Sequence, residues 1–161
     1  MKHLITLFLL IVIVSVAVAQ PGTLDNSFGN EGIVTGQGYT GYAFATALQT
    51  DGKIIIAGSG SYKAAGGVLV ARYNTDGTID NSFGDNGIVV NDFHGPFDEA
   101  YSIAVQQDGK ILVAGEIGKL DAGLLRFLPD GTPDSSFGEN GGAFTDLGGA
   151  EYVHSVVLQP D

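Results

Sequence analysis

The chain has 161 residues, of which 18 are Asp or Glu and seven are Lys or Arg, so its formal net charge is −11. This density of acid argues against nucleic acids and anionic membranes as partners, because both would be repelled. The absence of cysteine excludes disulfides and thiolate metal sites. The 25 glycines, combined with 44% hydrophobic residues, indicate a turn-rich ordered chain rather than a disordered one.

Residues 1–19 have the pattern of a signal peptide. A short basic start is followed by an uncharged apolar run from Leu4 to Ala19, and Ala17-Val18-Ala19 before Gln20 fits a cleavage site. This run is shorter than the ~20 residues that a membrane-spanning helix needs. We therefore expect an exported protein, secreted or held at the cell surface or in the periplasm. An uncleaved N-terminal anchor is the alternative. After cleavage, six cationic and 18 acidic residues would remain, and nothing would insert into a membrane.

The rest of the chain, 20–161, repeats one pattern with a period of about 55 residues. Three blocks return in a fixed order: a Ser-Phe-Gly block at 24–29, 79–84 and 133–138, an Asp-Gly-Lys block at 51–58 and 108–115, and an Arg block at 71–78 and 125–132. Self-similarity at such a period is typical of repeat architectures. The repeat units are 24–78, 79–132 and a truncated 133–161.

Each complete unit contains four predicted strands. They cover 32–35, 43–49, 53–58 and 68–73 in the first unit, and 88–91, 100–106, 110–115 and 124–127 in the second. Asp51-Gly52 and Asp108-Gly109 predict hairpins with type I′ turns. The third strand of each unit is apolar on both faces, which indicates a sheet covered on both sides. The sequence therefore predicts an all-β fold of tandem four-stranded antiparallel blades of a β-propeller.

The number of units predicts an incomplete propeller. The sequence stops at 159–161, where the earlier units form their Asp-Gly turn, and so contains about two and a half blades. Propellers typically have four to eight. We expect a fragment or a truncated reading frame, with self-assembly of a partial propeller as the alternative.

Three motifs cover nearly all of 21–161: L-D-x-S-F-G-x-x-G, A-L-Q-x-D-G-K-I-x-x-A-G and A-R-Y-x-x-D-G-T. Together they resemble the delta-60 repeat family of bacterial secreted proteins. The resemblance implies a propeller-like array, often within large extracellular proteins, without an established catalytic activity. Two departures are mild: Leu128-Pro129 replaces Asn74-Thr75, and Gly141-Gly142-Ala143 weakens the first strand of the last unit.

Two turns each place a pair of carboxylates four residues apart around a glycine. The four candidate calcium ligands are Asp76, Asp80, Asp130 and Asp134. Calcium prefers six to eight hard oxygen ligands. An EF-hand loop read from Asn74 fails, because it has Ile79 where glycine is needed. The favoured interpretation is structural: Asp-Gly forms the turn, and the second aspartate caps the turn that follows.

The two arginines occupy one repeat position. Arg72 and Arg126 each precede an aspartate by eight residues, which predicts a bidentate ion pair that fixes a corner of the blade. Anion binding is the alternative.

The histidines offer little catalytic chemistry. His94 lies in an acidic stretch that breaks the repeat, so it is a candidate metal ligand or base, although an ordinary loop residue is the favoured interpretation. His154 aligns with Phe44 and Tyr101, which predicts that it fills an aromatic packing position. No motif places a nucleophile beside either histidine, so no catalytic triad is predicted.

Two predicted loops, 59–67 and 116–123, differ in length and sequence between units, and Tyr62 and Lys63 in the first form a candidate contact pair. We expect a non-enzymatic scaffold for protein or glycan contact, without catalytic or cofactor-binding residues. One alternative is part of a propeller-scaffold hydrolase or lyase whose catalytic residues lie in missing blades. The other is a calcium-stabilised repeat array.

Overall fold

The computed structural model describes residues 22–36, 38–93, 98–118 and 121–159. The predicted signal peptide lies outside these residues. The described ranges contain strands and no helix, and therefore no helix capable of crossing a membrane. The strands are β1 (Tyr39–Leu48), β2 (Ile54–Tyr62), β3 (Ala65–Tyr73), β4 (Ile88–Asn91), β5 (Glu99–Val105), β6 (Ile111–Ile117), β7 (Asp121–Phe127) and β8 (Gly142–Thr145).

The strands form two four-stranded antiparallel sheets, in the orders β1-β2-β3-β4 and β5-β6-β7-β8. Each sheet is one blade, and the predicted all-β propeller architecture is confirmed.

The sheets do not have the same boundaries as the sequence units. The segment 88–91 was predicted to open the second unit, but it is β4 and pairs with β3 through Val70 and Val89. It returns to the first sheet because the Arg72 N–H bonds to Gly87 O at 3.0 Å and the Asp80 N–H to Arg72 O at 2.9 Å, which folds the intervening corner back on itself. The predicted strand 32–35 forms only an isolated bridge, between Asn30 and Ile33.

The Asp-Gly hairpins are present, but their predicted turn type is wrong. Only the glycine is left-handed, with φ of 84° at Gly52 and 82° at Gly109, whereas a type I′ turn needs two such residues. Gln49 instead accepts the Gly52 N–H at 2.9 Å and donates to Lys53 O at 2.8 Å. These bonds close a three-residue loop that ends in a left-handed glycine, another common hairpin connection.

Most of the predicted variable loop 59–67 is strand. β2 runs to Tyr62 and β3 begins at Ala65, leaving a two-residue turn at Lys63 and Ala64. Both turn residues have positive φ, 48° and 68°. This is the backbone pattern of a type I′ turn, built here without the glycine or asparagine that normally signals it.

The core lies between the two sheets and continues through the first corner. β6 is buried along its whole length, as its two apolar faces predicted. The largest fully buried side chains are Phe83, Phe127, Ile55, Ile111, Ile117, Leu125, Val68, Val70 and Val113. A smaller cluster packs around Leu69, Ala71, Tyr73 and Ile88. The position of Phe83 links the repeated corner directly to the interior.

Candidate functional site

The first corner is centred on a buried arginine. Arg72, on β3, has only 8% of its side chain exposed. Its Nε donates to Asp80 Oδ2 at 2.7 Å, its Nη2 donates to Ser82 Oγ at 3.2 Å, and its guanidinium lies 4.6 Å from the centroid of the Phe83 ring. The predicted arginine–aspartate pair is present. It uses one nitrogen on the carboxylate rather than two, because the second nitrogen bonds to the serine.

The second unit repeats this corner. Arg126 Nε donates to Asp134 Oδ2 at 2.8 Å, Nη2 reaches Ser136 Oγ at 3.4 Å, and the guanidinium lies 4.4 Å from the Phe137 ring centroid. The same contacts at the same repeat positions favour an architectural role for both arginines.

A lysine completes each corner. Lys53 Nζ lies 2.8 Å from Asp80 Oδ2, and Lys110 Nζ lies 3.2 Å from Asp134 Oδ2. We did not predict these contacts. The signal was the lysine that follows Asp-Gly in both units, but nothing in the spacing showed that the strand would bring it to an aspartate more than 20 residues away.

The cations and serines of the corners lower the pKa of both aspartates. Burial raises the pKa of Asp80, but hydrogen bonds from Lys53 and Ser82 and the charge of Arg72 outweigh it and hold that pKa well below the usual range. The pKa of Asp134 is lowered chiefly by the Ser136 hydroxyl, with further bonds from the Ser136 N–H and Lys110. Each carboxylate therefore stays charged and is engaged on both oxygens.

The other two calcium candidates form local turns. Asp76 Oδ1 accepts the N–H and hydroxyl of Thr78, at 2.9 and 2.6 Å, and Asp130 Oδ1 accepts the same groups of Thr132. Such bonds are typical of aspartate in turns. The geometry of all four candidates supports the structural interpretation, and calcium binding there stays an untested alternative.

Three other acids lie close together in the described residues. One carboxylate oxygen from each of Asp121, Asp146 and Glu151 falls within 4.8 Å of the others. Asp146 and Glu151 also accept backbone N–H groups, from Gly148 and Gly149. Acids grouped in this way are common in loops without an ion, so the group remains a weak candidate for a metal.

A row of rings, several of them exposed, runs across both sheets, and we call it the aromatic ladder. It consists of Tyr42, Phe44, Tyr101, Tyr152 and His154. The ladder starts on β1, passes through β5 and ends in the segment 151–159 that follows β8. Successive ring centroids lie 6.3 Å apart from Tyr42 to Phe44, 5.4 Å from Phe44 to Tyr101 and 5.4 Å from Tyr101 to His154. The predicted aromatic packing position of His154 is confirmed.

Repeated β-bulges help to form the ladder. The β1–β2 register shifts between Ala43 and Ala45, and the β5–β6 register shifts between Ala100 and Ser102. The extra residue is Phe44 in the first sheet and Tyr101 in the second. A bulge redirects a side chain out of the normal alternation, so both rings point along the row that joins the sheets. Tyr42 is 74% exposed, which makes this row an accessible apolar surface.

A pair of acids, here called the acid pair, adjoins the ladder. Glu99 and Glu116 are direct cross-strand partners on β5 and β6, and Glu116 is only 4% exposed. The Tyr101 hydroxyl donates to Glu99 at 2.5 Å, and the Ser59 hydroxyl lies 3.5 Å from the other Glu99 oxygen. Burial, followed by the charge of Glu99, raises the pKa of Glu116.

The acid pair was missed in the sequence, although a signal was available. In the repeat alignment Glu99 and Glu116 stand where the first unit has Tyr42 and Ser59, which are themselves cross-strand partners. An acid on the otherwise apolar β6 marks a departure from the repeat at a buried position.

The remaining candidates stay apart from the ladder. Lys63 pairs with Asp85 at 2.6 Å and lies 5.0 Å from the Tyr62 ring centroid, with both charged groups largely exposed. His94 lies outside the described residues.

A family model described as "Domain of unknown function (DUF5122) beta-propeller" matches the chain at residues 49–83 and 106–137. Each matched segment runs from the Asp-Gly hairpin to the phenylalanine of the corner. Over these two segments the chain is similar to a β-propeller repeat domain, in agreement with the two blades. The ladder residues all lie outside the matched segments. No curated protein and no solved structure matches the chain.

Proposed function

We propose that this chain is an exported, non-enzymatic β-propeller repeat segment of the delta-60 type that uses its aromatic ladder to contact a protein or a glycan. The observation that carries the proposal is the exposure of the ladder across parts of three repeats. The aspartates of the corners are buried and bonded within the protein, whereas the ladder presents contiguous rings to solvent. Exposed apolar patches on otherwise polar surfaces commonly mark interaction sites.

The ladder suits both kinds of ligand for the same reason. Aromatic rings lose little conformational entropy on binding and provide a large apolar face. Such a face stacks on the C–H side of a sugar ring or on an apolar or cationic side chain. The planes of Tyr42 and Phe44 differ by 16°, and those of Tyr152 and His154 by 8°, so each end of the ladder presents a nearly parallel pair.

The test compares two serine substitutions. Tyr42→Ser removes an end of the ladder, and Leu24→Ser removes a similarly exposed apolar side chain elsewhere. Calorimetric titrations use hexalysine, a glucosamine hexamer and the N-acetylglucosamine hexamer as probes. For each probe that the unsubstituted protein binds, we expect Tyr42→Ser to lower the affinity about tenfold, which is the size of one stacking contact. Leu24→Ser should leave binding unchanged. Equal affinities for Tyr42→Ser and the unsubstituted protein would contradict the proposal.

A further inference from the structure

The acid pair and the ladder rings beside it have a chemistry that the ladder alone lacks. Glu99 and Glu116 are side by side on one face of the second sheet, since direct cross-strand partners point to the same side. Two carboxylates held together in a partly dry site repel each other. Folding has therefore placed a concentrated negative potential next to exposed aromatic faces.

Glu116 gives an independent indication of a ligand. It is 4% exposed on a strand that is otherwise apolar. Among the described residues, no side chain or backbone group donates a hydrogen bond to its carboxylate, so its oxygens keep free acceptor positions. In the corners, by contrast, a lysine, an arginine and a serine surround each aspartate.

The surroundings distinguish between kinds of cation. Calcium prefers six to eight oxygen ligands, but the other oxygens seen at the acid pair are only the Ser59 and Tyr101 hydroxyls, and the Tyr101 proton is already donated. Phe44 and His154 add rings, each 5.4 Å from Tyr101. Aromatic faces attract organic cations, and a charge-assisted bond to a carboxylate adds to that attraction.

We propose that the acid pair, together with Tyr101 and its neighbouring rings, binds an organic ammonium group. This inference rests on the proposed function, since the ladder supplies the rings, and it makes that function specific for amine-bearing ligands. A lysine side chain of a partner protein and the free amine of an amino sugar share this chemistry. The strong negative charge of the chain favours such cationic ligands at a distance.

The experiment separates charge recognition from ring stacking. Hexalysine and the glucosamine hexamer carry amines, whereas acetylated hexalysine and the N-acetylglucosamine hexamer are their neutral counterparts. The variants are Glu99→Gln and, as a control with the same change in net charge, Glu139→Gln at an exposed position. Calorimetry at low salt should show binding of at least one amine probe and weaker or no binding of its acetylated counterpart. Glu99→Gln should weaken that binding by about tenfold, while Glu139→Gln should change it less than about twofold.

Three outcomes would overturn the inference: equal effects of Glu99→Gln and Glu139→Gln, equal binding of the amine probes and their acetylated counterparts, or no binding of either amine. The first two leave the proposed function standing if Tyr42→Ser still weakens binding, so the two proposals fail separately. If Glu99→Gln does not fold, Glu116→Gln takes its place, because it removes one of the two carboxylates of the pair while keeping the Tyr101–Glu99 bond. Binding of hexalysine alone indicates a protein ligand, and binding of the glucosamine hexamer alone indicates a glycan.

Discussion

At the scale of single residues, the side chain of Arg72 makes contacts in both blades. Arg72 bonds within its own corner and also donates from Nη1 to Pro129 O at 2.6 Å, in the turn of the next blade. One side chain therefore satisfies an aspartate, covers a phenylalanine and joins two blades.

Removing this arginine should destabilise the protein strongly. Arg72→Ala removes the closest cation of the buried Asp80 but leaves Lys53, so the loss should approach but not exceed the roughly 3–5 kcal/mol of a fully broken buried pair. Arg126→Ala should cost less, because Arg126 is more exposed, at 19%. The control is Lys63→Ala, which breaks an exposed pair worth at most about 1 kcal/mol. Urea unfolding gives the free energy of unfolding of all three variants. A loss of stability in Arg72→Ala no larger than that in Lys63→Ala would refute the structural role of Arg72.

At the scale of strands, close approach of backbones fixes the bulges. Gly58 and Gly115 occupy the same position on β2 and β6, opposite the bulges of β1 and β5. A Cβ atom at Gly115 would overlap the carbonyl oxygen of Glu99, and one at Gly58 would overlap that of Tyr42. Each glycine is required by its neighbouring strand.

Gly115→Ala should therefore disrupt the β5–β6 pairing and lower stability by several kcal/mol, since backbone atoms cannot move aside as a flexible side chain can. Gly66→Ala is the matched control, because it is also a strand glycine but its Cβ would have 3.9 Å to the nearest atom. Its effect should stay within about 1 kcal/mol. If the two variants unfold at similar temperatures, the close approach of Glu99 is not the reason for the glycine at position 115.

The sequence predicted the first three strands of each sheet and both Arg–Asp pairs, because apolar runs and repeated blocks report local structure directly, whereas the predicted strand 32–35 forms only an isolated bridge. It did not predict that 88–91 would join the preceding sheet, since that pairing depends on how the corner folds back. The Lys63-Ala64 turn was also hidden, because β2 and β3 impose it through their pairing rather than through turn-forming residues. The acid pair required the cross-strand register, which no single stretch of sequence contains.

At the scale of the whole molecule, the two corners act together as an acid-sensitive element. The pKa values of Asp80 and Asp134 lie below their unfolded value of 3.8, so each stabilises the fold as a carboxylate. Their contribution is fully present above about pH 5 and declines as the pH falls through 3.8 toward the folded pKa. Glu116 acts in the opposite direction, because its raised pKa makes its ionisation unfavourable as the pH rises.

We expect the free energy of unfolding to fall steeply between about pH 5 and pH 2. The double variant Asp80→Asn/Asp134→Asn should be less stable at pH 6. It should also lose less stability over that interval, because it lacks two of the carboxylates that take up protons on unfolding. Urea titrations at several pH values measure the slope. Glu139→Gln should leave it nearly unchanged, and a double variant with an unaltered slope would contradict the assignment.

The bonds between blades have a consequence for how such repeats diversify. The Gly84 N–H, just before β4 of the first blade, donates to Asp130 O, after β7 of the second blade, at 2.7 Å, so the two blades are joined through backbone atoms and through Arg72. The Gly29 N–H makes the equivalent bond to Asp76 O, also at 2.7 Å. Hydrogen bonds between backbone atoms are maintained through most side-chain substitutions, and none of these contacts involves a ladder residue. Mutations can therefore accumulate along the ladder without loosening the joints. The exposed surface of repeats joined in this way can therefore be changed, by evolution or by design, one blade at a time.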